Sequence, residues 1–236
     1  MFDAAVENGH IQHNPFRSKL IQPDRKKDGS HRVITMEERD LILTTDHRFR
    51  LFALTMLYAG LRRGEAMAIQ IDDDVDFESG VIHVTKSVRF EGNSPVISPT
   101  KTEAGERDVP LLAILADELK GKKGLLAPSA SGDMLTQTGL KRGWDAYLNA
   151  LSRAAGHKVS IRPHDLRHSY CTMLRDAGVD MKLAMLWMGH ADEKMILRIY
   201  DHVTESRVDF AVKTLNQTAI RSQNGSQKRL DGDETQ

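Results

Sequence analysis

The sequence predicts an α+β domain that is mainly α-helical and carries a small three-stranded antiparallel sheet. Three observations predict it. Apolar runs bounded by helix start and stop signals fill the start of the folded region, from Thr35 to Ile69. Period-two alternation broken by turn residues follows between Val81 and Val109. From Leu111 onward, apolar residues recur at helical spacing between glycine and proline breaks.

Residues 1 to about 30 are polar, hold Pro15, Pro23 and the run Asp24-Arg25-Lys26-Lys27-Asp28-Gly29, and read as a linker, so the folded part is expected to start near Val33. Thr35 is placed to cap a helix running through Leu43, with Glu38 at the position from which a carboxylate reaches back to the cap N–H. Arg48 to Ala59 forms a second, largely apolar helix, closed by Gly60, and Arg63 to Ile69 a third, short one. Arg62 therefore sits at a helix junction. The acids Asp72-Asp73-Asp74 and Asp76 read as a loop. Val81 to Phe90 then alternates, Glu91 to Ser94 supplies a turn, and Val96-Ile97 and Arg107 to Val109 continue as strands of the sheet. Lys101 falls between the last two strands, beside the turn Glu103-Ala104-Gly105-Glu106. The helical remainder breaks at Gly121 to Gly124, Pro128 to Asp133, Gly156 to Pro163, Gly178 and Gly189. After Leu215 the composition turns to Gln, Asn, Ser, Asp and Lys, and residues 217–236 are expected to be a disordered polar tail.

At 236 residues and 40% hydrophobic content the chain can bury a sizeable core. Its longest strongly apolar stretch, Leu51 to Leu61, is too short to span a bilayer, and Met1 to Asn14 lacks the basic-then-apolar pattern of a secretory signal. A cytoplasmic protein without a membrane partner is the expectation. Cys171 is the single cysteine, which excludes an internal disulfide; among Leu166, Met173 and Leu174 it reads as a small buried hydrophobe rather than a catalytic thiol. The 33 basic and 33 acidic residues cancel, which argues against a strongly basic nucleic-acid sleeve. The bases nevertheless gather at Arg17 to Arg32, Lys120 to Lys123 and Arg162 to Arg175, and the potential of one face, not the total, sets DNA affinity.

Six residues carry the chemistry: Arg62 in Gly60-Leu61-Arg62-Arg63-Gly64-Glu65, Lys101 in Thr100-Lys101-Thr102, His164 and Arg167 in His164-Asp165-Leu166-Arg167-His168, His190 in Met188-Gly189-His190, and Tyr200 in Ile199-Tyr200-Asp201-His202. Three cations, two imidazoles and a phenol are suited to attack on a phosphodiester by a side chain. His164 and Arg167, three apart at a helix start, share a face. An arginine at a rigid junction, as Arg62 is, offers parallel N–H groups to phosphate oxygens in a way a lysine ammonium does not. Glu65, one turn on, is placed to orient His or Arg groups as an acceptor. Each residue also has a plain alternative: Arg62 as a helix-start partner of Glu65, His164 as a capping histidine, Lys101 and Arg167 as solvated cations, His190 as a turn residue, and Tyr200, at helical spacing from Ile196, as a half-buried core tyrosine. A zinc site on His164 and His168 is disfavoured, because Arg167 adds positive charge to the same face and no third ligand has a helical partner.

Taken together and in order, these contexts resemble the catalytic domain of the tyrosine recombinases, or phage-type integrases. The resemblance covers roughly Val33 to Leu215. It implies a linker at residues 1–32 that follows an N-terminal DNA-binding domain, a catalytic domain at 33–216 and the tail at 217–236. It also implies the roles. Tyr200 is the nucleophile, and because a phenol is mostly protonated at neutral pH it needs local positive potential or a base. Arg62, Arg167 and His190 stabilise charge growing on the non-bridging oxygens, His164 assists the phenol proton, and Lys101 protonates the leaving 5′-oxygen. No nucleotide or metal cofactor is implied. The implied partners are double-stranded DNA with specific recombination sites, further copies in a tetramer on DNA, and accessory DNA-bending or excision factors. The apolar stripe Val208, Ala211, Val212 and Leu215 packs either on its own core or on a neighbouring protomer. A type IB topoisomerase-like nicking enzyme and a non-enzymatic DNA-binding relative are the competing readings.

Overall fold

The computed structural model describes residues 8–9, 32–99, 105–189, 193–200 and 213. The expected linker, the polar tail and the stripe from Val208 to Leu215 lie outside the described residues, apart from Asn8, Gly9 and Arg32. The chain divides into two compact units, Met1–Arg32 and Val33–Gln236. In the first, Asn8 and Gly9 form a turn; the fold is that of the second.

It begins with three short helices, α1 (Met36–Thr44), α2 (Arg50–Tyr58) and α3 (Arg63–Ala68). Thr35 starts α1 as its pattern requires: its hydroxyl accepts from the Glu38 N–H at 3.1 Å, and the Glu38 carboxylate accepts from the Thr35 N–H at 2.9 Å. Nearly every side chain of α2 is buried, and Gly60 ends it with φ +65°. A Cβ at Gly60 would fall inside the ring of Tyr170, so this position needs glycine both for its backbone and for the close approach.

The acidic segment is not simply a loop. Ile71–Asp74 makes one helical turn (α4), and Val75–Asp76 a short strand (β1). The Asp74 carboxylate is satisfied there by the Gln70 N–H at 2.7 Å and Lys86 Nζ at 3.0 Å. A three-stranded antiparallel sheet is present, in the order β1, β2 (Val81–Val84) and β5 (Arg107–Pro110). Its membership differs from the sequence reading, because the alternating run from Val81 to Phe90 is not one strand. It breaks at Thr85, and among the described residues β3 (Lys86–Glu91) pairs with β4 (Ser94–Pro99) alone, in a separate hairpin. The Glu91 to Ser94 turn is a two-residue loop whose first residue, Gly92, has φ +60°. Asn93 ties it to the next long helix, its side-chain oxygen accepting from the Thr138 N–H and hydroxyl, each at 2.9 Å.

The remaining helices are α5 (Ala113–Leu119), α6 (Gln137–Ala155), α7 (Pro163–Asp176), α8 (Met181–Met188) and α9 (Glu193–Tyr200). In α6, Leu140, Gly143, Trp144, Tyr147 and Leu151 form one buried stripe that meets Phe49 and Phe52 in an edge-packed aromatic cluster. None of the described helices is long and apolar enough to cross a membrane.

Buried apolar residues form two clusters. The larger joins α1 to α6 with the sheet and ends at Leu166; the smaller holds Tyr170, Cys171, Leu174, Ala184, Met188, Ile196, Ile199 and Tyr200 from α7, α8 and α9. Cys171 is buried there as a small hydrophobe. Helix α7 runs through both clusters and is also pinned to the start of the domain, where the Ile34 N–H donates to Ser169 Oγ at 2.9 Å.

Gly60→Ala is expected to lower stability by about 1–3 kcal/mol through overpacking against Tyr170, with backbone strain added. Urea denaturation checks this, and an unchanged midpoint would contradict the packing described.

Candidate active site

The first turns of α3 and α7 are built on one device. Glu65, three residues into α3, accepts from the Arg62 N–H at 2.8 Å and from Arg62 Nη1 at 2.8 Å. Asp165, at the same position of α7, accepts from the Arg162 N–H at 2.9 Å and from Arg162 Nη2 at 2.8 Å. An acid here satisfies an orphaned N–H and lies at the positive end of the helix. The Arg-x-x-acid pattern in both motifs is therefore first of all a helix start.

At α3 the device grows into a cluster. Arg107, at the head of β5, donates from Nη2 and Nη1 to the two oxygens of Glu65 at 2.8 and 3.1 Å. Arg167, from α7, comes within 4.0 Å of the same carboxylate. Three guanidinium groups thus surround one buried acid and leave a net positive charge. Burial by itself pushes the Glu65 carboxyl up; the Arg107 hydrogen bonds and charge, the Arg167 charge and the Arg62 N–H outweigh it and bring the carboxyl down to about 2.

The same arginines hold the end of α8. A helix leaves its last carbonyls without intrahelical partners, and α8 has no basic residue in its own last turn. Arg107 Nε donates to Trp187 O at 2.7 Å, Arg62 Nη2 lies 3.3 Å from Met188 O and 3.4 Å from Gly189 O, and Arg167 Nη2 donates to Met188 O. Gly189, at φ +75°, lets the guanidinium groups close on this turn: a Cβ there would stand 3.3 Å from Arg62 Nη1.

Of the residues singled out in the sequence, Arg62, Glu65 and Arg167 meet in this cluster. Arg167 is fully buried and spends Nη1 on Gly60 O and Nη2 on Met188 O, so it bridges the end of α2 and the end of α8. His164 is exposed on the first turn of α7. Tyr200 is 8% exposed in the smaller apolar cluster, with its hydroxyl enclosed. Tyr170 links the two groups. Its ring packs on Gly60, and its phenol is pushed up chiefly by burial, with the charges of Arg167 and Arg107 opposing and Tyr200 adding to the rise. Lys101 and His190 lie outside the described residues. Among the described residues no group of three or more His, Cys, Asp or Glu is arranged to hold a metal ion.

Arg107 was not among the residues picked out in the sequence. The available signal was the strand's own period: in Arg107-Asp108-Val109 the arginine shares a face with a core valine, and an inward-facing arginine requires a buried acid as partner.

A carboxyl whose folded value lies below its unfolded value contributes stability above the unfolded value and loses it as pH falls. For Glu65 the window runs from its ordinary 4.5 down to about 2. Glu65→Gln is expected to lower stability at neutral pH by about 3–5 kcal/mol, since Arg107 keeps no carboxylate, and to flatten the acid limb of stability in that window. Denaturant titrations at pH 7, 4 and 2.5 check both points; parallel curves for the two proteins would contradict the pairing.

The sequence profile of the Phage integrase family matches residues 32–207. Among curated relatives, the chain is similar to a XerC-like tyrosine recombinase of Caldanaerobacter subterraneus, at 26% identity over 255 residues covering 93% of this chain and 63% of the relative. It is similar to the transposase of transposon Tn916 from Enterococcus faecalis at 25% identity, covering 91% of this chain and 58% of the relative. The chain thus spans about six tenths of the length of these relatives. Among solved structures, the Tn1549 transposon integrase in complex with circular intermediate DNA matches with a TM-score of 0.69 at 23% identity, over 91% of this chain and 76% of its own. The XerA recombinase matches with a TM-score of 0.53 at 19% identity, over 81% of this chain and 66% of its own. At these identities the structural likeness is one of fold, that of the tyrosine recombinase catalytic domain, and with the profile covering well over half of its length the chain belongs to the Phage integrase family.

Proposed function

We propose that residues 33–216 form the catalytic domain of a site-specific DNA recombinase, which cleaves and rejoins DNA through a 3′-phosphotyrosine intermediate and integrates or excises a mobile element. The observation that carries this reading is the positive cluster of Arg62, Arg107 and Arg167 around Glu65, closed against the end of α8, with Tyr200 on the next helix. Of these three arginines only Arg62 reaches the surface: its side chain is 29% exposed, against 1% for Arg107 and 0% for Arg167.

In the proposed reaction the Tyr200 oxygen attacks phosphorus and the bond to the 5′-oxygen breaks. Negative charge on the non-bridging oxygens is met by Arg62, Arg167 and His190, fixed donors that need no reorganisation during the step. Arg167 exchanges a carbonyl acceptor for a phosphate oxygen when DNA binds, because its guanidinium is occupied by Gly60 and Met188 in the free protein. His164, on the exposed first turn of α7, assists removal of the phenol proton, and Lys101 delivers a proton to the leaving oxygen. The phosphotyrosyl ester retains the energy of the broken bond, so a 5′-hydroxyl of another strand reverses the step without a nucleotide cofactor. The partners of this activity are double-stranded recombination sites and further copies of the chain in a DNA-bound tetramer, with accessory DNA-bending or excision factors. The setting is the cytoplasm.

A nicked duplex carrying the recombination site is expected to trap a covalent protein–DNA adduct with the wild type and none with Tyr200→Phe, whose DNA affinity stays close to wild type because one hydroxyl is lost. Adduct in the phenylalanine variant would move the nucleophile elsewhere. Joining of two different duplexes separates a recombinase from a nicking and rejoining enzyme.

Lys101→Ala is expected to slow cleavage of ordinary DNA by roughly 10²-fold or more, and far less on DNA whose bridging 5′-oxygen is sulfur, a leaving group that needs no proton. Equal loss on both substrates would exclude the acid role.

A further inference from the structure

We propose that Arg107 is a positioning residue of the site: it holds Glu65 and the end of α8 so that the Arg62 guanidinium and the Gly189 turn stand in fixed register for a phosphate. The inference rests on the phosphate-binding reading of Arg62 given above.

Four hydrogen bonds carry it. Arg107 donates end-on, from Nη1 and Nη2, to both oxygens of Glu65, from Nε to Trp187 O at 2.7 Å, and from Nη1 to Gly105 O at 3.2 Å. One planar group therefore ties α3, the end of α8 and the entry to β5 together, across sequence separations of 42 and 80 residues. Because the fork of Arg107 meets both carboxylate oxygens, Glu65 asks only one side-chain N–H of Arg62, at 2.8 Å. In the absence of Arg107 the buried carboxylate would keep one hydrogen-bonded guanidinium, that of Arg62, with Arg167 4.0 Å away and held by backbone carbonyls, and the one arginine of the three that reaches the surface would turn inward. The strand itself does not depend on this side chain, since β5 pairs with β2 through its backbone, Arg107 opposite Val84. Lysine in place of Arg107 would keep a charge beside Glu65 while losing the planar fork and the Nε contact to Trp187.

A residue that served only the fold would change stability, and its effect on cleavage would be independent of Arg62. A positioning residue acting through Arg62 gives the opposite signature. The test is single-turnover adduct formation on the nicked site duplex by the wild type, Arg107→Lys, Arg62→Ala and the double variant, each below its own melting transition, with the Kd for the same duplex measured in parallel. Arg107→Lys is expected to slow adduct formation on the order of 10²-fold with its Kd near wild type, and the double variant to be no slower than Arg62→Ala alone. If Arg107→Lys melts below the assay temperature, Arg107→Gln takes its place in the same cycle. A wild-type rate for the Arg107 variant, or defects that multiply in the double, would overturn the positioning role while leaving the proposed reaction standing. Absence of adduct from the wild type, or an Arg62→Ala rate equal to wild type, would overturn the phosphate reading itself, and the role of Arg107 with it.

Discussion

The hydrogen bonds that Glu65 accepts from Arg62 and Arg107 set the terms on which three distant segments of this chain meet. A carboxylate buried this deeply is costly unless it is paired and its lone pairs are met. Glu65 has both conditions satisfied: a backbone N–H at the start of α3, one guanidinium from its own helix junction, an end-on fork from β5, and a third arginine at 4.0 Å. The arginines in turn have donors left over, and the end of α8 supplies carbonyls that its own helix cannot satisfy. The surplus donors of one structure and the surplus acceptors of the other cancel.

This exchange explains why arginine, not lysine, occupies positions 62, 107 and 167. Each uses spatially separated N–H groups on acceptors from different elements, which a single ammonium cannot reach together. Arg167 shows it most plainly. It lies where the larger apolar cluster gives way to the smaller one, between Leu166 and Tyr170 on α7, and joins Gly60 O, between Ala59 and Leu61 of the first, to Met188 O of the second. The charged centre thus doubles as the joint between two hydrophobic cores, and a site built on it inherits their rigidity.

The arrangement also separates presentation from support. Arg107 is enclosed and holds backbone and carboxylate oxygens, while Arg62 keeps an exposed face at the helix junction. Tyr200 belongs to the same smaller cluster as Met188, whose carbonyl the arginines hold. Tyr170, wedged between Gly60 and that cluster, transmits the fit from one side to the other, and glycine at position 60 is what allows it.

What the sequence by itself determined is what acts over a few residues. The capping box of Thr35 and Glu38, the stop at Gly60, the Gly92-Asn93 turn and the glycine at the end of α8 are local hydrogen-bond and backbone preferences, legible without knowing the fold. The motifs around Arg62, His164, Arg167 and Tyr200 were legible for the same reason, as patterns of residue type at fixed spacing. Only the tertiary structure decided where partners lie far apart. Alternation from Val81 to Phe90 looks the same whether one sheet or two receives it, and the break at Thr85 follows from pairing β2 with a strand that starts at residue 107. The role of Arg107 was hidden because its partners are 42 and 80 residues away, and the enclosure of Arg167 because its carbonyl acceptor at Gly60 is 107 residues away. Burial and pairing of a charge are properties of the packed chain, and a single sequence carries them only as an arginine on the inward face of a strand or helix.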